Sequence, residues 1–431
     1  MKRIVIILSF AFATLTALSQ QLTLDTAIAI ALKNSPGLMI SKNNVSIAGL
    51  NNSYGIAGGL PLVQATTNVT EQVTSLEQRY SNPLNNKSST NASSNNIGAG
   101  VAATMPVFEG FKVQNAKQRL GVSEEQSRQI YSSRAQILIY NVMLKYYDIV
   151  RQQGYARTLE ASIRASQQKL EIVKQQQAVG VANDADLFQS QVDLNTQLQS
   201  LQAQQLVVDQ DKTDLLTLMM LNPDSLILIK DTILVDQSIK LDSILSAAYQ
   251  NPDIQAAMDQ IRINQYLEKE VGASRYPSAS VGVGYNFSRN TNPQGFNILN
   301  QAYGPYVGFA LTIPIFNGGI YKRQQAIAGI NVNTARLQKD TLVLNIQATA
   351  VKNWQAYLSN LKQLETAKQN YDLSAKLLNL VLMRFQYKVA TIVDVTLAQQ
   401  SFESAGFQLT NTSYAAKAAE IQLRRLANQL P

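Results

Sequence analysis

The stretch TIPIFNGG occupies residues 312–319, and TMPVFEGF occupies 104–111. Each reads as a strand's end, a proline, an aromatic residue and a glycine corner. They stand 208 positions apart, Thr104 to Thr312. At the same spacing AVGVANDADLFQSQ (178–191) overlaps YKVATIVDVTLAQQ (387–400), Asp186 falling on Asp394 and Gln191 on Gln399. A third pair opens each half: LTLDTAIAIALKNSP (22–36) resembles IKLDSILSAAYQNPD (239–253), with Pro36 on Pro252. Three matches in one order make the chain two copies of one unit.

Outward from those corners, each copy has the same plan. Residues 20–221 form the first copy, 222–238 a joint, and 239–431 the second. A first helix is expected over 24–57 and again over 241–274, with Asp25 and Asp242 accepting from free N–H groups of the first turn. Strands are expected at about 62–79 and 96–108, then 277–289 and 303–316. Long helices follow over 110–179 and 318–388, and return helices over 184–220 and 392–428. Between Lys112 and Val179, and between Tyr321 and Lys388, there is no proline. At ~1.5 Å per residue, helices of that length run to roughly 100 Å. Their Gln/Ala/Leu/Lys composition suits coiled-coil packing.

The strands decide the environment. In PSASVGVGYNFSR (277–289), Ala279, Val281, Val283, Tyr285 and Phe287 share one face. Ser280, Gly282, Gly284, Asn286 and Ser288 share the other. That is period-two alternation. Its partner puts Val307, Phe309, Leu311, Ile313 and Ile315 on one face, and residues 96–108 do so with Ile97, Val101, Met105 and Val107. A soluble sandwich usually carries charge on its outer face. Here the second face is small and neutral, as the wall of a wide lumen would be, and the connections 81–96 and 289–301 are long and polar. Such strands fit a transmembrane β-barrel. Pro106 and Pro314 cannot donate to a ladder and so suit a strand's end or a bulge. Gly110 and Gly318 relax the corner where the strand becomes a helix. Four strands cannot close a barrel, and an open edge in lipid leaves backbone groups without partners. Several chains must therefore share one barrel. Two would give eight strands, with an interior mostly filled by side chains; three would give twelve and leave a passage.

Composition narrows the function. The chain has no Cys and no His. Disulfides, thiolate nucleophiles, Ser-His-Asp triads and His or Cys metal sites are thereby excluded. Neither catalytic residues, a metal nor a cofactor is expected. Residues 1–19 carry Lys2 and Arg3, an apolar run and Ala17-Leu18-Ser19, the pattern of a cleaved signal peptide. Their removal lowers the formal net charge from +8 to +6. The cations are scattered along helices, so no nucleic-acid partner is expected.

The NSP and NPD elements, the PVFEG and PIFNG corners and the tip segments together resemble the TolC family of outer-membrane efflux and secretion channels. The resemblance covers essentially the whole mature chain. It implies an α+β membrane protein of a Gram-negative outer membrane: a homotrimer with a twelve-stranded barrel in lipid and a periplasmic α-helical tunnel. It also implies tips that meet a periplasmic adaptor (a membrane fusion protein) and through it an inner-membrane pump of RND or ABC type. The tips are Gly180, Val181, Ala182 and Asn183 in the first copy, and Lys388, Val389, Ala390 and Thr391 in the second. Lys388 stands where the family commonly has glycine, which puts that turn in question. The aspartate rings of some members point to Asp394, and by the repeat to Asp186, as gate candidates. The alternative for both is a carboxylate at a helix N-terminus, favoured by the dipole. An arginine that some members carry near this tip has no clear counterpart in the sequence. Two other classes compete: a periplasmic coiled-coil adaptor or scaffold that never enters the membrane, and a secreted carboxylate-based hydrolase.

Overall fold

Proline sets where the first helix of each copy breaks. The structure is a computed structural model and describes residues 20–293 and 298–431. The expected signal peptide, 1–19, lies outside the described residues. The helix expected over 24–57 is two helices, α1 (Leu24–Asn34) and α2 (Pro36–Asn51). The one expected over 241–274 is α5 (Leu241–Ala247), a 3-10 turn (Ala248–Gln250) and α6 (Pro252–Ala273). Ser35 and Asn251 are both extended, with ψ of 115° and 129°. The ring of a following proline forces that geometry on the residue before it. The caps also differ from expectation. Thr23, not Asp25, caps α1, in a reciprocal box with Thr26. Lys240 precedes α5 without any side-chain cap bond, and Asp242 lies in the first turn.

Four strands form one antiparallel sheet: β2 (Leu62–Gln78), β3 (Lys87–Glu109), β5 (Ser278–Thr291) and β6 (Leu299–Thr312), in the order β2-β3-β5-β6. β3 begins nine residues before the expected 96, so most of the polar connection 81–96 is strand. Its Ser and Asn residues are held in the ladder by β2, which pairs Lys87–Ser89 and Ala92–Asn96. The second connection is likewise shorter than expected, since β5 reaches Thr291 and β6 begins at Leu299. β6 ends at Thr312 rather than 316, two residues before Pro314, which has no N–H to give.

The long helices are α3 (Lys112–Ala178) and α7 (Ile320–Gln386), of 67 residues each. Gly121, Gly154 and Gly329 do not interrupt them. Their return helices are α4 (Asp184–Leu218) and α8 (Ile392–Leu426). In the joint, β4 (Ile227–Leu228) pairs in parallel with β1 (Gln20–Gln21).

The chain divides into two compact units. One holds Lys42–Ile130 and Asp253–Leu342, and so the whole sheet. The other holds, among the described residues, Gln20–Ser41 with Tyr131–Pro252 and Val343–Pro431. The helical unit has a core of Tyr146, Ile149, Leu215, Met219 and Ile421, all essentially out of water. Burial of each such side chain contributes about 1.5–3 kcal/mol. The sheet unit is built the other way round. Val307 is 81% exposed and Phe309 67%, so its apolar face has no cover in one chain.

Candidate functional site

Three places carry the candidate residues: the sheet with its edges, the corners and the helical tips. On the sheet, the rows Val63–Ala103–Val283–Val307 and Ala65–Val101–Tyr285–Pro305 run across one face. The opposite face has Thr66–Gly100–Asn286–Gly304 and Gln64–Ala102–Gly284–Tyr306. Polar side chains lie flat on glycines there. A Cβ on Gly100 would stand 2.6 Å from the Asn286 Oδ1, and one on Gly284 would stand 2.7 Å from the Tyr306 ring. The face stays thin and neutral as a result. β2 and β6 are the edge strands, and among the described residues neither pairs on its outer side.

At the first corner the register of β3 on β5 slips between Pro106 and Phe108, leaving Val107 as the extra residue of a bulge. Gly110 and Phe111 then both take positive φ, 60° and 67°. Glycine is required at 110 for a second reason: a Cβ would stand 2.7 Å from the carbonyl oxygen of Ala273. The second corner uses Gly318 and Gly319, with φ of 66° and 75°. Here Pro314 follows the strand rather than lying in a bulge.

The two tips are built alike. The Gly180 N–H donates to the Gln177 carbonyl at 2.8 Å, and the Val181 N–H to the Gln176 carbonyl at 2.8 Å. At 208 residues' distance, the Lys388 N–H donates to Phe385 at 3.1 Å and the Val389 N–H to Arg384 at 2.8 Å. Both are the paired bonds that close a helix through a left-handed residue. Lys388 adopts that conformation, φ 63°, beside the 74° of Gly180. The lysine therefore does not abolish the turn. Asn183 and Thr391 next cap the return helices. The Asp186 N–H donates to Asn183 Oδ1 at 2.8 Å, and the Asp394 N–H donates to Thr391 Oγ1 at 3.2 Å. Asp394 Oδ2 accepts from the Thr391 N–H and from its hydroxyl, each at 2.8 Å. These two bonds, with Arg384 nearby, hold its carboxyl below the usual carboxylate range. Asp394 is exposed and Asp186 half-buried.

Arg384 was missed in the sequence. Its guanidinium donates to the Val389 carbonyl at 3.3 Å, across the second tip. In the first tip Gln176, 208 residues earlier, occupies this place and donates from its amide to the Phe385 carbonyl at 3.2 Å. Only that alignment marks Arg384, because nothing local distinguishes it from other helix arginines.

Further from the tips, α3 and α8 meet along a polar seam. Gln399 donates to Ser162 Oγ at 2.6 Å and to Ser166 Oγ at 2.8 Å, and Ser162 donates to Glu403. The fully buried Lys169 ammonium reaches Asp193 of α4 at 2.5 Å and Thr396 of α8 at 3.3 Å. No cluster of metal-binding side chains occurs among the described residues.

The family model described as outer membrane efflux protein matches residues 27–219 and 244–429, one segment in each copy. No curated protein matches the sequence. Among solved structures, the fold is similar to the outer membrane protein VceC from Vibrio cholerae: 16% identity, TM-score 0.75, 94% of this chain and 95% of that one. It is similar to the Campylobacter jejuni CmeC outer membrane channel at 16% identity and TM-score 0.76, over 94% and 85% of the two chains. The open state of the Neisseria gonorrhoeae MtrE outer membrane channel matches at 18% identity and TM-score 0.65, over 94% and 89%.

Proposed function

This chain belongs to the outer membrane efflux protein family, and we propose that three copies of it close one twelve-stranded barrel that conducts cargo across the outer membrane. The protein is an outer-membrane transport channel. The observation that carries the trimer is the four-stranded sheet with two free edges and a bare apolar face. In lipid the outer N–H and C=O groups of β2 and β6 need partners, and a neighbouring copy supplies them. Three copies give the smallest closed ring whose lumen is not filled by its own side chains.

The helical tips, Gly180–Asn183 and Lys388–Thr391, are where a periplasmic adaptor docks and links the channel to an inner-membrane pump of RND or ABC type. Val181 and Val389 stand exposed at these turns and offer apolar contact. The channel performs no chemistry of its own; the pump supplies the energy. Asp394 plays both roles once set against each other. One oxygen caps α8, and the exposed carboxylate of each copy adds to an electronegative ring that favours cations at the mouth. An adaptor or scaffold outside the membrane would not need four alternating strands with an apolar face.

The native chain has no cysteine, which makes the seam directly testable. Single cysteines placed along β2 and β6 in pairs, scanned for register, should oxidise between copies. The expected product ladder stops at three chains. A ladder that stops at two, or the absence of any β2–β6 crosslink in membranes, contradicts the closure.

A further inference from the structure

We propose that the first strand-to-helix corner holds the phosphate of an anionic phospholipid from the inner leaflet of the outer membrane. A cleft of about 400 Å³ opens there beside Gly110. Lys269, Arg275, Asn115, Gln325, Phe111 and Tyr276 line it. Both cations are exposed, and neither pairs with a carboxylate among the described residues. The neighbouring acid on α6, Glu270, is taken by Arg119 at 2.8 Å. The Arg275 guanidinium donates to Gln325 Oε1 at 3.0 Å, which steadies it at the cleft. Lys269 lies over the Tyr266 ring, 5.4 Å from its centroid.

The position selects a lipid over other anions. Phe111 packs edge-on against Phe108, with ring centroids 5.6 Å apart. Phe108 is paired with Ala279, on the face that continues through Met105 and Val281. Through Phe111 the cleft adjoins the apolar side of the sheet, where the strands end. Exposed Phe111 and Tyr276 are side chains of the kind that sit at headgroup level. Two cations beside such a belt fit a phosphodiester above acyl chains. The cleft lies where β3 ends and β5 begins, the two inner strands, with Gln325 contributed by α7, which follows the edge strand β6. The first copy has no counterpart: 216 residues earlier stand Ser53 and Gly59. Each chain thus has one such site. The assignment rests on the reading of the sheet as a membrane barrel.

The test is native mass spectrometry of the detergent-extracted particle with added phosphatidylglycerol or, separately, phosphatidylethanolamine. The wild type should retain about one phosphatidylglycerol per chain, and less phosphatidylethanolamine. Lys269→Gln with Arg275→Gln should weaken that retention roughly twenty-five-fold, two cations each contributing about a factor of five. Lys322→Gln, at the other corner, should leave it unchanged. Equal retention of the two lipids, or full retention by the double variant, would overturn the proposal. So would displacement of phosphatidylglycerol by millimolar inorganic phosphate, which would make this a free-anion site. The same spectrum counts chains per particle. A wrong count contradicts the channel, whereas a trimer without bound lipid contradicts this site alone.

Discussion

Lys388 shows how a residue and its backbone come apart. A side chain in the left-handed region crowds the following carbonyl, at a cost of about 1–2 kcal/mol. The second tip bears that strain because the flanking bonds to Phe385 and Arg384 fix the turn. The sequence showed a missing glycine and left the turn in question, since the compensating contact, Arg384 to the Val389 carbonyl, depends on geometry. Lys388→Gly should relieve the strain and stabilise the tip by up to about 1 kcal/mol, net of the added freedom of the unfolded chain. Slower hydrogen exchange at the Val389 amide is the expected sign, and faster exchange contradicts it. The sequence offers Asp394 as a carboxylate at a helix N-terminus, favoured by the dipole, beside the gate reading; its bonds with Thr391 are visible only in the structure. Its lowered pKa has a definite consequence. A carboxyl depressed in the folded state contributes stability above its unfolded pKa, and loses it only as pH falls through the lowered value. The cap of α8 should thus persist through neutral and mildly acid pH. In planar bilayers, Asp394→Ala should raise single-channel conductance or weaken block by divalent cations. No change in either would leave it a cap alone.

Among the elements, the pairing of α3 with α8 is the one the sequence hid. The absence of proline and the Gln/Ala/Leu/Lys composition marked the long helices to within two residues at each end, because those signals are local. The seam between the helices is not local. Gly154 faces Thr410, and Gly406 faces Thr158; each missing Cβ makes room for the opposite threonine. A Cβ on Gly406 would stand 2.5 Å from Thr158 Cγ2. The two glycines lie at unrelated positions of the repeat, so duplication does not reveal them. Gly406→Ala should push the helices apart and cost about 1–3 kcal/mol, read as a lower unfolding midpoint in detergent. Thr158→Ala in the same chain should restore most of the loss. Wild-type stability of Gly406→Ala alone would mean that the helices do not meet there. The breaks at Pro36 and Pro252 were legible in principle, since the residue before a proline resists the helix. The amphipathic pattern running across both prolines concealed them.

At the scale of the whole molecule, the duplication gave the plan and the free edges give the assembly. One chain supplies half-buried helices and a sheet whose apolar face and outer ladders are unsatisfied. Lipid covers an apolar face but cannot pair the outer ladders of β2 and β6, so the completed object contains more than one chain. The number was legible only through an argument about the lumen: small neutral residues on the inner face imply a wide bore, and eight strands do not leave one. The most direct test is the mass of the particle extracted from outer membranes in mild detergent, by light scattering corrected for bound detergent. Three chains per particle is the predicted result. A monomer or dimer, or a chain recovered in the soluble fraction, would contradict the shared barrel and return the protein to the class of periplasmic scaffolds.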